Sequence, residues 1–133
     1  MKAPAPRYEG FVPGKYPLDA YGAGGFRFAG MSHVGSILAT PRGVRAIEAK
    51  VLADLTIAVL EPLLAEIAEA PGSIEFLVIG VGEKMAHLPP LFAKRLRECG
   101  LRLEVMATGP AARIYNVLVN ENRRVAAILL AVP

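Results

Sequence analysis

The chain has 133 residues, 53% of them hydrophobic, with 15 basic and 12 acidic side chains for a formal charge of +3. A length in this range serves one core, the mild charge demands neither a nucleic-acid nor an anionic-membrane partner, and a single cysteine, Cys99, excludes an internal disulfide and a multi-cysteine metal site. A mean hydropathy of +0.40 points to strands buried on both faces, as in a parallel sheet covered by helices. Membrane insertion is the competing explanation, but the longest apolar run, residues 125–133, is far short of the roughly 20 residues a spanning helix needs.

The first residues carry a lysine but no apolar stretch of the kind a secretory signal requires, so a soluble, cytoplasmic protein is expected. Residues 1–14 hold Pro4, Pro6, Pro13, Gly10 and Gly14 among few apolar side chains and read as a loose arm; residues 15–133 read as one domain. From Tyr16 to Ala49 short β-type runs (18–21, 26–28, 35–39 and 44–47) are separated by Gly22, Gly24, Gly25 and Gly30, with Pro41-Arg42-Gly43 as a turn, which predicts antiparallel hairpins. Leu60, Leu63, Leu64 and Ile67 then recur at helical spacing on a helix that ends before Pro71-Gly72. Pro62 removes one helical hydrogen bond, so that helix either begins near Leu60 or bends there.

Residues 74–79 predict a buried strand. Residues 88–99 predict a helix opened by Pro89-Pro90 and stopped by Gly100, with Leu88, Leu91, Phe92, Leu96 and Cys99 inward. A strand over 101–106, a helix over 109–121 and a strand over 125–132 complete a β-α-β-α-β succession, the sign of crossovers around a mostly parallel sheet.

Gly80-Val81-Gly82-Glu83-Lys84 occupies the strand-to-helix position at which open α/β sheets bind ligands, although the spacing matches neither a Walker motif nor a dinucleotide fingerprint. Lys84 could neutralise an anion there. Thr108 is a good N-cap for the helix that follows, whose exposed amides would make a modest anion site beside the Gly80 loop. Arg113, Asn116 and Asn120 fall at i, i+3 and i+7 on one polar face, where an arginine fork beside two amides suits a carboxylate or main-chain partner; Tyr115 points to the core with its hydroxyl paired.

His33 and His87, the only histidines, stand far apart with no carboxylate at ligand spacing, so no zinc site is expected. Ser32, Ser36 and Ser73 lack a hydrolase nucleophile elbow, and Cys99 reads as a small hydrophobe. Lys94, Arg95, Arg97, Arg123 and Arg124 are interspersed with Glu98, Glu104 and Glu121 and have no interleaved aromatics, the pattern of a solvated surface and not of a nucleic-acid face.

The segments Tyr21-Gly-Ala-Gly-Gly-Phe-Arg27 with His33-Val-Gly-Ser-Ile-Leu38, and Met106-Ala-Thr-Gly-Pro-Ala-Ala-Arg-Ile-Tyr-Asn116 followed by Arg123-Arg-Val-Ala-Ala127, resemble the Mth-domain family of small uncharacterised proteins over about residues 16–132. The resemblance implies a three-layer β+α/β/α fold, an α/β domain with a central mixed, mostly parallel sheet and a small antiparallel β-layer. It implies no established activity, and one member is a mitochondrial respiratory complex I assembly factor. Ala107, Ala112 and Ile114 stand where the family commonly has an acidic residue, a cysteine and a threonine, the side chains best suited to catalysis. What remains, Gly82, Thr108, Arg113, Tyr115 and Asn116, suits binding better than chemistry.

Two expectations follow. The first is a non-enzymatic protein-binding or assembly module with a protein partner and no cofactor. The alternative is an anionic small-molecule site, of a binding protein or an enzyme, at the carboxyl ends of the central strands, where Gly82 and Thr108 supply amides and Lys84 or Arg113 offsets charge. The oligomeric state is left open.

Overall fold

The computed structural model describes residues 10–133. A six-stranded mixed sheet has the order β1 (Phe11–Pro13), β6 (Gly43–Ile47), β5 (Ser36–Thr40), β9 (Val125–Leu129), β7 (Phe76–Gly80), β8 (Arg102–Met106). A separate three-stranded antiparallel sheet holds β2 (Ala20–Gly22), β3 (Gly25–Phe28) and β4 (Met31–Val34). The helices are α1 (Ile57–Glu69), α2 (Pro90–Glu98) and α3 (Thr108–Asn120).

Period-two alternation distributes the wholly apolar strands between two cores. Leu38, Leu77, Ile79, Ala126 and Ile128 face α1 and α2, meeting Leu60, Leu63, Phe92 and Leu96. Their strand neighbours Ile37, Ala39, Val78, Ala127 and Leu129 face α3 and the small sheet, meeting Ala111, Tyr115, Phe26 and Phe28. With both faces covered, no strand position in β5 or β9 is left for a polar side chain to reach water, which is why the segment 125–129 is continuously apolar. The layers are therefore helix pair, sheet, and helix plus small sheet, the three-layer β+α/β/α arrangement the resemblance implies.

β7 pairs in parallel with both β8 and β9, and parallel neighbours need crossovers, which α2 and α3 supply. The first crossover steps outward from β7 to β8 and the second steps back past β7 to β9, so two connections of the same hand lie on opposite faces. α3 ends in a Schellman arrangement: Asn122 takes φ +57° while Arg123 N donates to the Leu118 carbonyl (2.8 Å) and Asn122 N to that of Val119 (3.0 Å).

The structure departs from expectation at several places. The sheet is mixed but not mostly parallel, because β5 and β6 do not stay in the small layer: they join the central sheet, and β1–β6, β6–β5 and β5–β9 all pair antiparallel. Ser36 shows what holds β5 there. Its hydroxyl donates to the Ala49 carbonyl (2.5 Å) and accepts from Ala131 N (2.9 Å), stitching β5 to both flanking segments inside the core.

The part of the expected arm that is described is ordered strand, with Phe11–Pro13 paired to β6 at the sheet edge, where its proline needs no ladder donor; residues 1–9 lie outside the described residues. α1 starts at Ile57 and carries Pro62 in its interior, and tertiary packing of Leu60 and Leu63 offsets the lost hydrogen bond. Leu91 is 71% exposed and not inward: in a helix of nine residues Phe92 and Leu96 define the buried stripe and Leu91 falls outside it. β4 is a polar Met-Ser-His-Val with no apolar run to mark it in the sequence.

Candidate binding face

The start of α3 is where a ligand site was expected, and the chain there closes on itself. Gly80 lies so near the helix that a Cβ on it would sit 2.8 Å from Thr108 Cα. Thr108 is fully buried and is the first residue of α3, not its N-cap, the cap position being Ala107. Its hydroxyl donates to the Leu130 carbonyl (2.8 Å) and accepts from Gly82 N (3.1 Å), and its own amide donates to the Gly82 carbonyl (2.8 Å). Ala111 N is bonded back to Ala107 (3.0 Å) and Pro110 has no N–H, so Gly109 alone is left of the terminal amides, beneath the Tyr21 ring. The groups that would hold an anion are spent on fixing the β7, β9 and α3 junction. Lys84 is exposed on the following loop.

Asn116 and Tyr115 are also committed internally. The Asn116 amide clamps the backbone of Leu18 at two points, Oδ1 accepting from Leu18 N (2.7 Å) and Nδ2 donating to its carbonyl (2.8 Å). The main-chain partner foreseen for this polar face is thus the chain's own residue 18. Tyr115 is buried as expected, with its hydroxyl donating to the Tyr16 carbonyl (2.8 Å), and burial pushes that hydroxyl well above its ordinary pKa. Lys15 completes the attachment by donating to the Arg123 carbonyl (3.1 Å) and to Asn122 Oδ1 (3.3 Å) at the carboxyl end of α3, where a cation is favoured. Residues 15–18 are therefore strapped along α3 and deliver the chain into the small sheet.

Arg113 remains on the exposed side of α3. With Ala112 and Asn116 it forms one wall of an open groove of about 430 Å³ whose other wall is Leu18, Asp19, Ala20 and Tyr21. A second depression, about 330 Å³, adjoins it through Ala20 and Tyr21 and runs over the small sheet past Arg27, Ser32 and Val34. Its floor is low because Gly22 and Gly25 pair across β2 and β3 and present no side chains. The rim is apolar and aromatic with two guanidinium groups: Val34 is 86% exposed and Tyr21 41%.

Of the five residues singled out in the sequence, Gly82 and Thr108 are brought together, Arg113 and Asn116 share the groove, and Lys84 joins neither. Tyr21, Arg27 and Val34 were missed as a face. Their signal in the sequence is the Gly22 and Gly25 pair beside an aromatic, a pattern that equally marks a hairpin.

Other polar sites have internal partners, except Glu66 Oε2 and Ser73 Oγ, which are buried with no hydrogen-bond partner among the described residues. The Asp54 carboxylate accepts from Lys50 N (2.9 Å) and Val51 N (3.2 Å), which holds its pKa below the usual carboxylate value. Half-buried His33 lies with Nε2 3.3 Å from the Ser36 carbonyl, and desolvation lowers its pKa in spite of that contact. Glu66 is buried on α1 and accepts from the Thr40 hydroxyl (2.6 Å). Among the described residues no group of three or more His, Cys, Asp or Glu is placed to hold a metal ion, and no helix is long and apolar enough to cross a membrane.

The model of a family described as a protein of unknown function (DUF498/DUF598) matches residues 18–130. A crystal structure described as an outer membrane protein from Bartonella henselae is 41% identical, with a TM-score of 0.78, covering 91% of this chain and 98% of that one. A Mth938-like domain from Bordetella pertussis, solved in solution, is 27% identical with a TM-score of 0.73, covering 98% of this chain and 92% of that one. The NADH dehydrogenase (ubiquinone) 1 alpha subcomplex assembly factor 3 of Xenopus tropicalis is 31% identical over 113 residues, which make up 85% of this chain and 60% of that protein. The chain therefore spans less than two thirds of that relative. The resemblance to Mth-domain proteins is borne out.

Proposed function

The chain belongs to the DUF498/DUF598 family of proteins of unknown function, and on that premise we propose that it is a non-enzymatic protein-binding module that serves assembly. The observation that carries this reading is the pair of shallow depressions that merge at Tyr21, walled by Arg113 on one side and by Arg27 and Val34 on the other. An exposed aromatic, two arginines and an exposed branched side chain around a shallow floor are the composition of a protein interface, where Tyr and Arg supply most of the binding energy. A deep pocket with convergent polar groups, as a small substrate needs, is a different geometry. The partner proposed is a protein component of a membrane-associated respiratory complex, by analogy with the assembly factor named above. The cytoplasm is the proposed compartment, on the single cysteine.

Purification of the tagged chain from its native cell, beside the surface variants Arg113→Glu and Val34→Asp, tests the proposal. The wild type should recover a defined partner that both variants lose while melting at the wild-type temperature. Recovery of the bait alone, or equal recovery by all three chains, would overturn it. An anionic ligand at the Gly80 loop is the second reading; with the Gly82 and Thr108 amides already bonded to each other's oxygens, its support is limited to the exposed Lys84 and the open space beside Gly82 (φ +117°). An amide chemical-shift titration with common anionic metabolites tests that reading at residues 80–84.

A further inference from the structure

The two edges of the central sheet are built differently. β1 is short, ends in Pro13, and is bracketed by Gly10 and Gly14 at positive φ (82° and 114°), devices that blunt an edge against pairing. β8, Arg102-Leu-Glu-Val-Met106, has neither proline nor glycine, and among the described residues it pairs only with β7.

The ladder to β7 fixes which backbone groups of β8 are spent. Arg102 N donates to the Glu75 carbonyl (3.0 Å) and Val81 N donates to the Met106 carbonyl (2.9 Å), so residues 102, 104 and 106 turn their N–H and C=O toward β7. By alternation, Leu101, Leu103 and Val105 turn theirs outward. The side chains divide in the other sense: Leu101, Leu103 and Val105 pack into the core on the α1 and α2 side, while Arg102 and Glu104 are exposed on the opposite face.

We propose that β8 is the edge through which two copies of this chain pair, antiparallel and about a two-fold axis at Leu103, joining their central sheets into one. In that register Leu103 meets Leu103 of the second copy and Leu101 meets Val105, in both directions. All three are hydrogen-bonded pairs, each exchanging two bonds between the outward groups. The intervening non-hydrogen-bonded pairs, where side chains stand closest, set Arg102 opposite Glu104 and Glu104 opposite Arg102.

Competing registers fail. A slip of one residue confronts outward groups with groups already bonded to β7. A slip of two either way puts Arg102 against Arg102 or Glu104 against Glu104. The sequence of this edge is thus complementary to itself in one register, which identifies the occupant as a second copy in an isologous contact.

Sedimentation velocity of the full chain, from low micromolar to near-millimolar concentration, tests the proposal with two variants, Arg102→Glu and Glu104→Arg. The wild type should show a monomer–dimer equilibrium. Each variant places two like-charge pairs at its own two-fold interface and should weaken the dimer at least about tenfold, with its melting temperature unchanged because both positions are exposed. Mixed in equal amounts, the two variants oppose Glu to Arg at every such pair and should associate to within about threefold of the wild type. A wild type that stays monomeric throughout, variants that self-associate as the wild type does, or a mixture no stronger than either variant alone would each overturn the proposal.

Discussion

Replacing Asn116 by Ala should separate a strap residue from a merely solvated stripe. The side chain makes two hydrogen bonds to Leu18, at 2.7 and 2.8 Å, and Leu18 is itself buried. Each bond contributes about 1 kcal/mol net, and deleting the amide leaves a peptide N–H and C=O in partly dry surroundings, so the expected loss is about 2 kcal/mol. For a domain of this size that lowers the melting temperature by about 8 °C. Asn116→Asp should fall between, because it keeps the acceptor for Leu18 N but turns a carboxylate toward the Leu18 carbonyl. Asn120→Ala, on the same stripe but exposed, should stay within about 0.5 kcal/mol. Urea denaturation with a two-state fit provides the comparison. An Asn116→Ala chain indistinguishable from Asn120→Ala would refute the strap.

Thr108→Val keeps the shape but removes the donor to Leu130 and the acceptor for Gly82 in a fully buried place, and should cost about 2 to 3 kcal/mol by the same measurement. Tyr115→Phe should cost about 1 kcal/mol through its bond to Tyr16, and Tyr115→Ala about 3 kcal/mol or more through the cavity in the α3 core. Desolvation lowers the His33 pKa from 6.5, so the unfolded chain binds a proton more readily than the folded one. Stability should therefore decline as pH falls from near 6.5 through the lower folded value, and thermal melts of His33→Gln should show a flatter profile across that window. Arg113→Ala, with its side chain on an exposed groove wall, should change stability by no more than about 0.5 kcal/mol.

The elements with strong apolar periodicity were legible before the structure. β7, β8, α2 and α3 fall within two residues of the spans read from the sequence, and β9 starts where expected but ends three residues earlier, because burial on both faces writes continuous apolar runs and Gly100 writes a stop. β1 and β4 were not legible. β1 contains a proline and is held by β6, remote in sequence, whereas β4 is polar at Ser32 and His33 and is held as the second strand of a hairpin with β3, so no apolar run marks it.

The candidate site was legible only as residue types. Thr108, Asn116 and Gly82 carry good binding groups, but local spacing does not reveal that Leu130, Leu18 and the Gly80 turn already use them. Arg113 was correctly placed on an open face. Its companions Tyr21, Arg27 and Val34 come from a sheet whose position against α3 depends on the strap at residues 15–18, a long-range feature that no window of the sequence contains.

The central question is which face meets a partner, and amide chemical-shift mapping on the labelled chain addresses it directly once a partner has been recovered. Binding through the merged grooves predicts that shifts concentrate at residues 19–22, 25–34 and 112–116, with residues 80–84 unmoved. Shifts confined to residues 80–84 and 107–109, or the same shifts evoked by a small anion alone, would contradict a protein-binding role for the groove face.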